Sequence, residues 1–250
     1  MRVLRLKEVS STNREAKRMG LDGAPGGTVV VAEKQTSGRG RLGRSWESPP
    51  GGLWMSLLIR PEEGDESIPA PAVSLAAGTA AAAALESIFI SSGLDPGTIK
   101  LGWPNDIMVE DKKIAGILVE SCTIDNDFGV IGIGININNS STELPGELKG
   151  KATSVFDLSG KTIDIEIAMQ RVLAELESKL AELNNGNLGN IIEAWKSKSA
   201  ILGKQIRVMI PGEKPFEAKA LDIEKDGKLL VELTDGERIA LDYGETSLLR

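Results

Sequence analysis

Histidine is absent from the 250 residues. Without an imidazole the chain cannot build a Ser-His-Asp or Cys-His catalytic group or a histidine-ligated metal centre. Cys122 is the single cysteine. It excludes an internal disulfide and leaves no Cys/His set for structural zinc or a dithiol redox pair, so a reducing, cytoplasmic setting is expected. Positive charge is in deficit as well. Lys and Arg number 29 against 36 for Asp and Glu, a net charge of −7, which disfavours non-specific adhesion to nucleic acid or anionic lipid. Neither DNA nor membrane is therefore expected as a partner, and any anion site must be local. Residues 1–11 lack the basic and apolar regions of a signal peptide. The uncharged run 70–85 is mostly alanine and reads as a buried helix, too short and too weakly apolar to span a bilayer. What is present, 41% hydrophobic and 26% charged residues, suits a folded chain of one or two domains.

Residues 3–9 alternate as a strand does, and Thr12 with Glu15 three positions on predicts a capping box opening a short helix that stops at Gly20. Branched and apolar runs predict strands over 28–32 and 53–59, with a glycine-rich loop between them. The alanine-rich helix is expected at about 71–91, followed by strands at 99–101, 107–109, 114–122 and 129–137. Asp164 is a predicted N-cap, because Met169, Val172, Leu173, Leu176, Leu180 and Leu183 then recur at helical spacing. A further helix is expected at 191–198. From Gly203 the texture changes to short strands at 205–210, 217–223, 229–233 and 238–241, separated by Pro-Gly and Asp-Gly turns, which predicts a small β-barrel. The expected fold is α+β: a mixed sheet flanked by helices over 1–200, and a C-terminal barrel over 201–250.

The most unusual segment is Lys34-Gln35-Thr36-Ser37-Gly38-Arg39-Gly40-Arg41-Leu42-Gly43-Arg44-Ser45-Trp46, with four cations and no acid. Its 38–43 portion matches G-x-G-x-x-G, but the Ser-Trp-Glu-Ser-Pro-Pro-Gly-Gly that follows cannot open the helix a dinucleotide fingerprint requires. Glycine lets backbone approach a ligand closely, and arginine supplies planar forks for phosphate or carboxylate. A loop that orders over an anion is the expectation, against the bland alternative of a solvated basic hairpin. Trp103-Pro104-Asn105-Asp106 places two polar side chains beside a rigid proline, or is simply a turn. Ser11-Thr12-Asn13 alone would read as a helix cap. Residues 132–138, Gly-Ile-Gly-Ile-Asn-Ile-Asn, form a buried strand whose small residues admit a ligand or only close packing.

Together these segments resemble the biotin protein ligases. The matching motifs run in family order: Ser-Thr-Asn at 11–13, Gln35 leading into Gly-Arg-Gly-Arg-x-Gly-Arg-x-Trp at 38–46, Gly-Gly-Leu-Trp at 51–54, Trp-Pro-Asn-Asp at 103–106, Lys-Ile-Ala-Gly-Ile-Leu-Val-Glu at 113–120 and Ile-Gly-Ile-Gly-Ile-Asn at 131–136. The resemblance implies a fold like that of the class II aminoacyl-tRNA synthetases with an SH3-like C-terminal barrel, in the form that lacks a DNA-binding domain. It implies activation of biotin by ATP with Mg²⁺ to biotinyl-5′-AMP, then transfer to a lysine of a biotin carboxyl carrier domain of a carboxylase. A homodimer is the default expectation. By resemblance Ser11, Thr12, Asn13, Gln35, Gly38, Arg39, Gly40, Arg41 and Gly116 line the biotin pocket. Arg39, Arg41, Arg44, Trp46, Asn105 and Asn136 face the nucleotide, and Arg41 and Asp106 act in catalysis; the metal ligands are not identified. One departure stands out. The family has lysine before Trp-Pro-Asn-Asp, and here that place is Gly102, with Lys100 two residues away on the same strand face as a substitute. Two rivals follow: a biotin or biotinyl-AMP binding protein with impaired turnover, and a lipoate-type protein ligase.

Overall fold

The computed structural model describes residues 1–60, 69–122, 128–242 and 247–249. Branched and apolar runs form the strands β1 (Arg2–Val9), β2 (Thr28–Gln35), β3 (Leu53–Ile59), β4 (Ile99–Gly102), β5 (Asp106–Val109), β6 (Lys112–Cys122) and β7 (Phe128–Ile135). They make one seven-stranded sheet in the order β1-β2-β3-β7-β6-β5-β4. β1 and β2 are parallel, because helix α1 (Thr12–Leu21) crosses between them, and every other pairing is antiparallel. The sheet is therefore mixed, as expected.

Strand alternation gives the sheet two faces with different work. One carries Ile107, Ala115, Ile117, Ile133, Ile135, Met55 and Leu57 into the main core. Helix α2 (Ala70–Ser92) packs there, backed by α4 (Ile165–Asn184) and α5 (Leu188–Ser197). α2 is apolar on all sides because it lies between the sheet and the other helices. Its 23 residues meet the length and composition of a membrane-crossing helix, which corrects the expectation that this run is too short, yet most of it is buried within the protein. It ends where Gly93 turns left-handed and the Leu94 amide reaches back to Phe89 O, a Schellman closure. Asp164 caps α4 as predicted, accepting from the Glu166 amide.

The opposite face is only partly covered. α1 lays Ala16 against Val30, Leu58, Phe128 and Val130, and the rest of this face is open to the cleft described below. The capping box is not formed. Ser11 is the N-cap and Thr12 is already helical; the Thr12 hydroxyl turns to Gln35, Glu15 pairs with Arg18 at 2.6 Å, and the helix runs on to Leu21. A short helix α3 (Val155–Ser159) follows β7.

The C-terminal strands β8 (Gln205–Met209), β9 (Phe216–Ile223), β10 (Leu229–Leu233), β11 (Arg238–Leu241) and β12 (Ser247–Leu249) form an antiparallel sheet in the order β11-β10-β9-β8-β12. Gly212, Gly227 and Gly236 take the left-handed conformations that the predicted turns require. The sheet is barrel-like, but among the described residues no pairing joins β12 to β11. Val208, Ala220, Leu229 and Val231 belong to the same apolar cluster as α2 and the large sheet.

Candidate active site

The open face of the large sheet is floored by glycine. Gly116 on β6 and Gly134 on β7 are register partners, and a Cβ on Gly134 would stand 2.6 Å from the Trp46 indole nitrogen, one on Gly116 3.0 Å from the same ring. Gly132 is reserved likewise for Asn13, whose Oδ1 lies 2.1 Å from where a Cβ would be. The small residues of β7 thus admit the protein's own Trp46 and Asn13 side chains rather than a ligand directly, and these form the floor of a cleft.

The segment expected to order only on an anion is a closed hairpin here. Trp46 N donates to Gly38 O at 2.9 Å, Gly40 N to Arg44 O at 2.7 Å and Arg44 N to Arg41 O at 3.1 Å. Leu42 and Gly43 turn its tip with φ of 53° and 74°, and no α-helix opens here, so a dinucleotide fingerprint is excluded. The glycines divide the labour. Gly38 permits the two arms to cross, since a Cβ would meet Trp46 O at 2.3 Å. Gly43 supplies the turn, and Gly40 borders the cleft.

Ser11, Thr12, Asn13, Gln35, Arg39, Gly40, Arg41, Arg44, Trp46, Asn105, Asp106 and Gly116 all border this one cleft. Residues more than a hundred positions apart are brought together there, as the motif order predicts. Gly38 and Asn136 do not border it. Asn136 is buried at the end of β7, donating to Thr153 O at 3.0 Å and accepting from Asn139 at 3.1 Å, which ties that strand to the following segment. The Ser11-Thr12-Asn13 triplet is more than a cap. Thr12 N and Oγ1 lie 2.8 and 3.1 Å from Gln35 Oε1, and Asn13 Nδ2 donates to Glu120 at 2.9 Å. Asn105 donates to Ile117 O at 2.6 Å, locking the 103–106 turn onto β6.

The cation at the cleft is not where the sequence reading placed it. Lys100 is exposed, opposite Met108, and does not border the cleft; Gly102 is buried, paired with Asp106, and does not border it either. Lys113 of β6 does border it. Its Nζ is 2.5 Å from Asp106 Oδ1 and 4.9 Å from the centre of the Trp46 ring. Spacing along β4 pointed to Lys100, whereas the neighbour that matters lies across the β5–β6 hairpin. The turn at Glu110 and Asp111, both at positive φ, and the register shift between Ile107 and Met108 pair Gly116 with Asp106 and Lys113 with Met108, from where the Lys113 side chain reaches Asp106. Lys113 was already visible within the Lys-Ile-Ala-Gly motif.

Four cations, Arg39, Arg41, Arg44 and Lys113, thus face one concavity in an acidic protein. The arrangement suits a ligand carrying phosphate and carboxylate groups. The sequence pattern of the biotin/lipoate A/B protein ligase family matches residues 6–138, and that of the biotin protein ligase C-terminal domain matches 201–249. The chain belongs to the biotin/lipoate A/B protein ligase family. It is 36% identical over 231 residues to the bifunctional ligase/repressor BirA of Bacillus spizizenii, covering 91% of this chain and 68% of that one. It is 32% identical over 248 residues to the biotin–[acetyl-CoA-carboxylase] ligase of Mycobacterium tuberculosis, covering 97% and 87%. Among solved structures, the biotin protein ligase from Aquifex aeolicus in complex with biotin and ATP superposes with a TM-score of 0.83 at 32% identity, over 100% of this chain and 99% of that one. The fold and the ligase class read from the motifs are those of these relatives.

Proposed function

We propose that this ligase condenses biotin with ATP to biotinyl-5′-AMP and transfers the biotinyl group to a lysine of a biotin carboxyl carrier domain. The observation that carries the reading is the convergence of Arg39, Arg41, Arg44 and Lys113 on a cleft that the neutral polar groups of Ser11, Thr12, Asn13 and Gln35 also line. The neutral polar groups suit a neutral heterocycle, and the cations suit the carboxylate and the phosphates.

In the first step a carboxylate oxygen of biotin attacks the α-phosphorus of ATP, the bond to the pyrophosphate oxygen breaks, and pyrophosphate leaves. The nucleophile is already an anion at pH 7, so no general base is needed and the absence of histidine is no obstacle. What the chain must do is bring two anions together and neutralise charge as it shifts, a task for preorganised cations. Lys113, held between Asp106 and the Trp46 ring, is positioned for this role. In the second step the acceptor amine attacks the carbonyl carbon, AMP departs with the bonding pair, and the amine loses a proton.

Mg²⁺ fits as a companion of the nucleotide. Among the described residues no cluster of three metal-ligating side chains exists, so Asp106 and the ATP phosphates would hold it, as is usual for this ion. Bound there, it supplies charge neutralisation on the phosphates. Lys113 puts a cation at the cleft independently of position 102, which favours turnover over an impaired binding protein. Single-turnover pyrophosphate release tests the reading. It should require biotin, fall about tenfold to a thousandfold in Lys113→Ala, and be nearly unaffected in Lys100→Ala. Release that ignores biotin, or that depends on Lys100 and not on Lys113, contradicts it.

A further inference from the structure

Glu120, at the end of the Lys-Ile-Ala-Gly-Ile-Leu-Val-Glu motif, does not border the cleft, yet it touches two residues that do. Its Oε1 lies 3.4 Å from Arg39 Nη1 on the arginine hairpin, and its Oε2 accepts from Asn13 Nδ2 at 2.9 Å. Its side chain is mostly buried, 22% exposed, against 47% for Arg39.

Counting protons shows what this carboxylate controls. Both Asn13 Nδ2 protons are used on β6, one by Glu120 and one by Leu118 O at 3.3 Å. A carboxylate and a backbone carbonyl can only accept, so the two together fix which end of the Asn13 amide is oxygen. That oxygen stands 2.6 Å from Ser56 Oγ, and it too can only accept, so the single Ser56 proton goes to it. Ser56 Oγ is also 2.8 Å from Thr12 Oγ1, so it links the Asn13 amide to Thr12. Thr12 in turn bonds Gln35 Oε1 through its backbone N–H at 2.8 Å and its hydroxyl at 3.1 Å. Gln35 Nε2 is meanwhile spent on Ser48 Oγ at 2.7 Å, and Ser48 donates to Trp46 O at 3.1 Å, so the chain that begins at Arg39 ends at the other arm of the same hairpin.

We propose that Glu120 is a positioning residue that joins the hairpin to the cleft floor: through Asn13 it fixes the floor on which Ser56, Thr12 and Gln35 are set, and through Arg39 it holds the hairpin over the product. The inference rests on the function proposed above.

Three variants test it through separate readouts, biotin KM, ATP KM and the dissociation rate of biotinyl-AMP. Glu120→Gln still accepts from Asn13 but removes the counter-ion of Arg39, so biotinyl-AMP should dissociate about tenfold faster with biotin KM nearly unchanged. Glu120→Leu removes both contacts, so biotin KM should also rise about tenfold or more while ATP KM stays put. Glu120→Asp should recover part of both. A Glu120→Leu protein that melts like the parent and keeps its biotin KM and adenylate retention overturns the inference, as does a rise in ATP KM alone. Parent enzyme that forms biotinyl-AMP while the variants behave alike sinks this inference only; a parent that forms none sinks the proposed function with it.

Discussion

Gly132 and Gly134 stand two positions apart on β7, and each is replaced in space by a side chain from elsewhere, Asn13 on one and Trp46 on the other. The alternation Gly-Ile-Gly-Ile therefore encodes both faces of the sheet: isoleucines for the core, vacancies for the site. Gly132→Ala would push a Cβ into Asn13 Oδ1 and displace the amide from Glu120 and Ser56. Losing such buried contacts costs about 1–3 kcal/mol, so biotin KM should rise roughly tenfold to a hundredfold with the fold retained. Steady-state kinetics alongside a melting curve checks this, and an unchanged KM would contradict the assignment of Asn13 to the floor. The glycines were legible in the sequence as small residues in a strand. Which side chains would fill them was not, because that depends on a contact between residues 13 and 132 that no local pattern carries.

At the scale of elements, periodicity and turn chemistry predicted nearly every strand and helix, since each signal there is local: the Asp164 cap, the Asp-Gly turns, the heptad-like spacing in α4. The errors arose where tertiary contacts override local preference. Thr12 gives up a capping role for the bond to Gln35, and Lys113 reaches the site by cross-strand register rather than by spacing along a strand. A second element-scale tie joins α5 to β9, where Lys196 sits 2.8 Å from Asp222 and 2.9 Å from Glu193. The hydrogen bond from Lys196 is the chief cause that holds the Asp222 carboxyl below the usual aspartate range. A depressed folded value means the stabilisation is present above the ordinary carboxylate pKa of about 3.9 and is lost as pH falls through the lower folded value. Asp222→Asn should therefore be less stable than the parent near neutrality, by no more than about 1 kcal/mol for so exposed a pair, and the difference should close in strong acid. Urea titrations at several pH values measure it; a gap that widens below pH 4 would contradict the assignment.

At the scale of the molecule, the Asp226-Gly227 turn of the C-terminal sheet reaches the catalytic half beneath the cleft. Gly227 O accepts from the buried Trp103 indole at 3.2 Å, and the same glycine packs against Pro71 and Leu75 at the start of α2. Trp103 is the first residue of the turn that carries Asn105 and Asp106, so the C-terminal sheet braces the floor of the cleft. Trp103→Phe keeps a ring but leaves the carbonyl unpaired, at a cost of about 1–3 kcal/mol. The melting temperature should drop by about 2 to 10 °C, and biotin-dependent pyrophosphate release should slow with it; a slower reaction without any loss of stability would place Trp103 in the chemistry instead of the brace. Activation of biotin in the cationic cleft for transfer to a protein lysine is the step on which the proposed function stands. Its most direct test is the intact mass of a purified carboxylase biotinyl domain after incubation with this enzyme, ATP, Mg²⁺ and an equal mixture of biotin and lipoate. The added mass of one biotinyl group is expected, lost when the acceptor lysine is replaced; an unmodified acceptor, or one carrying a lipoyl group, would contradict the proposed function.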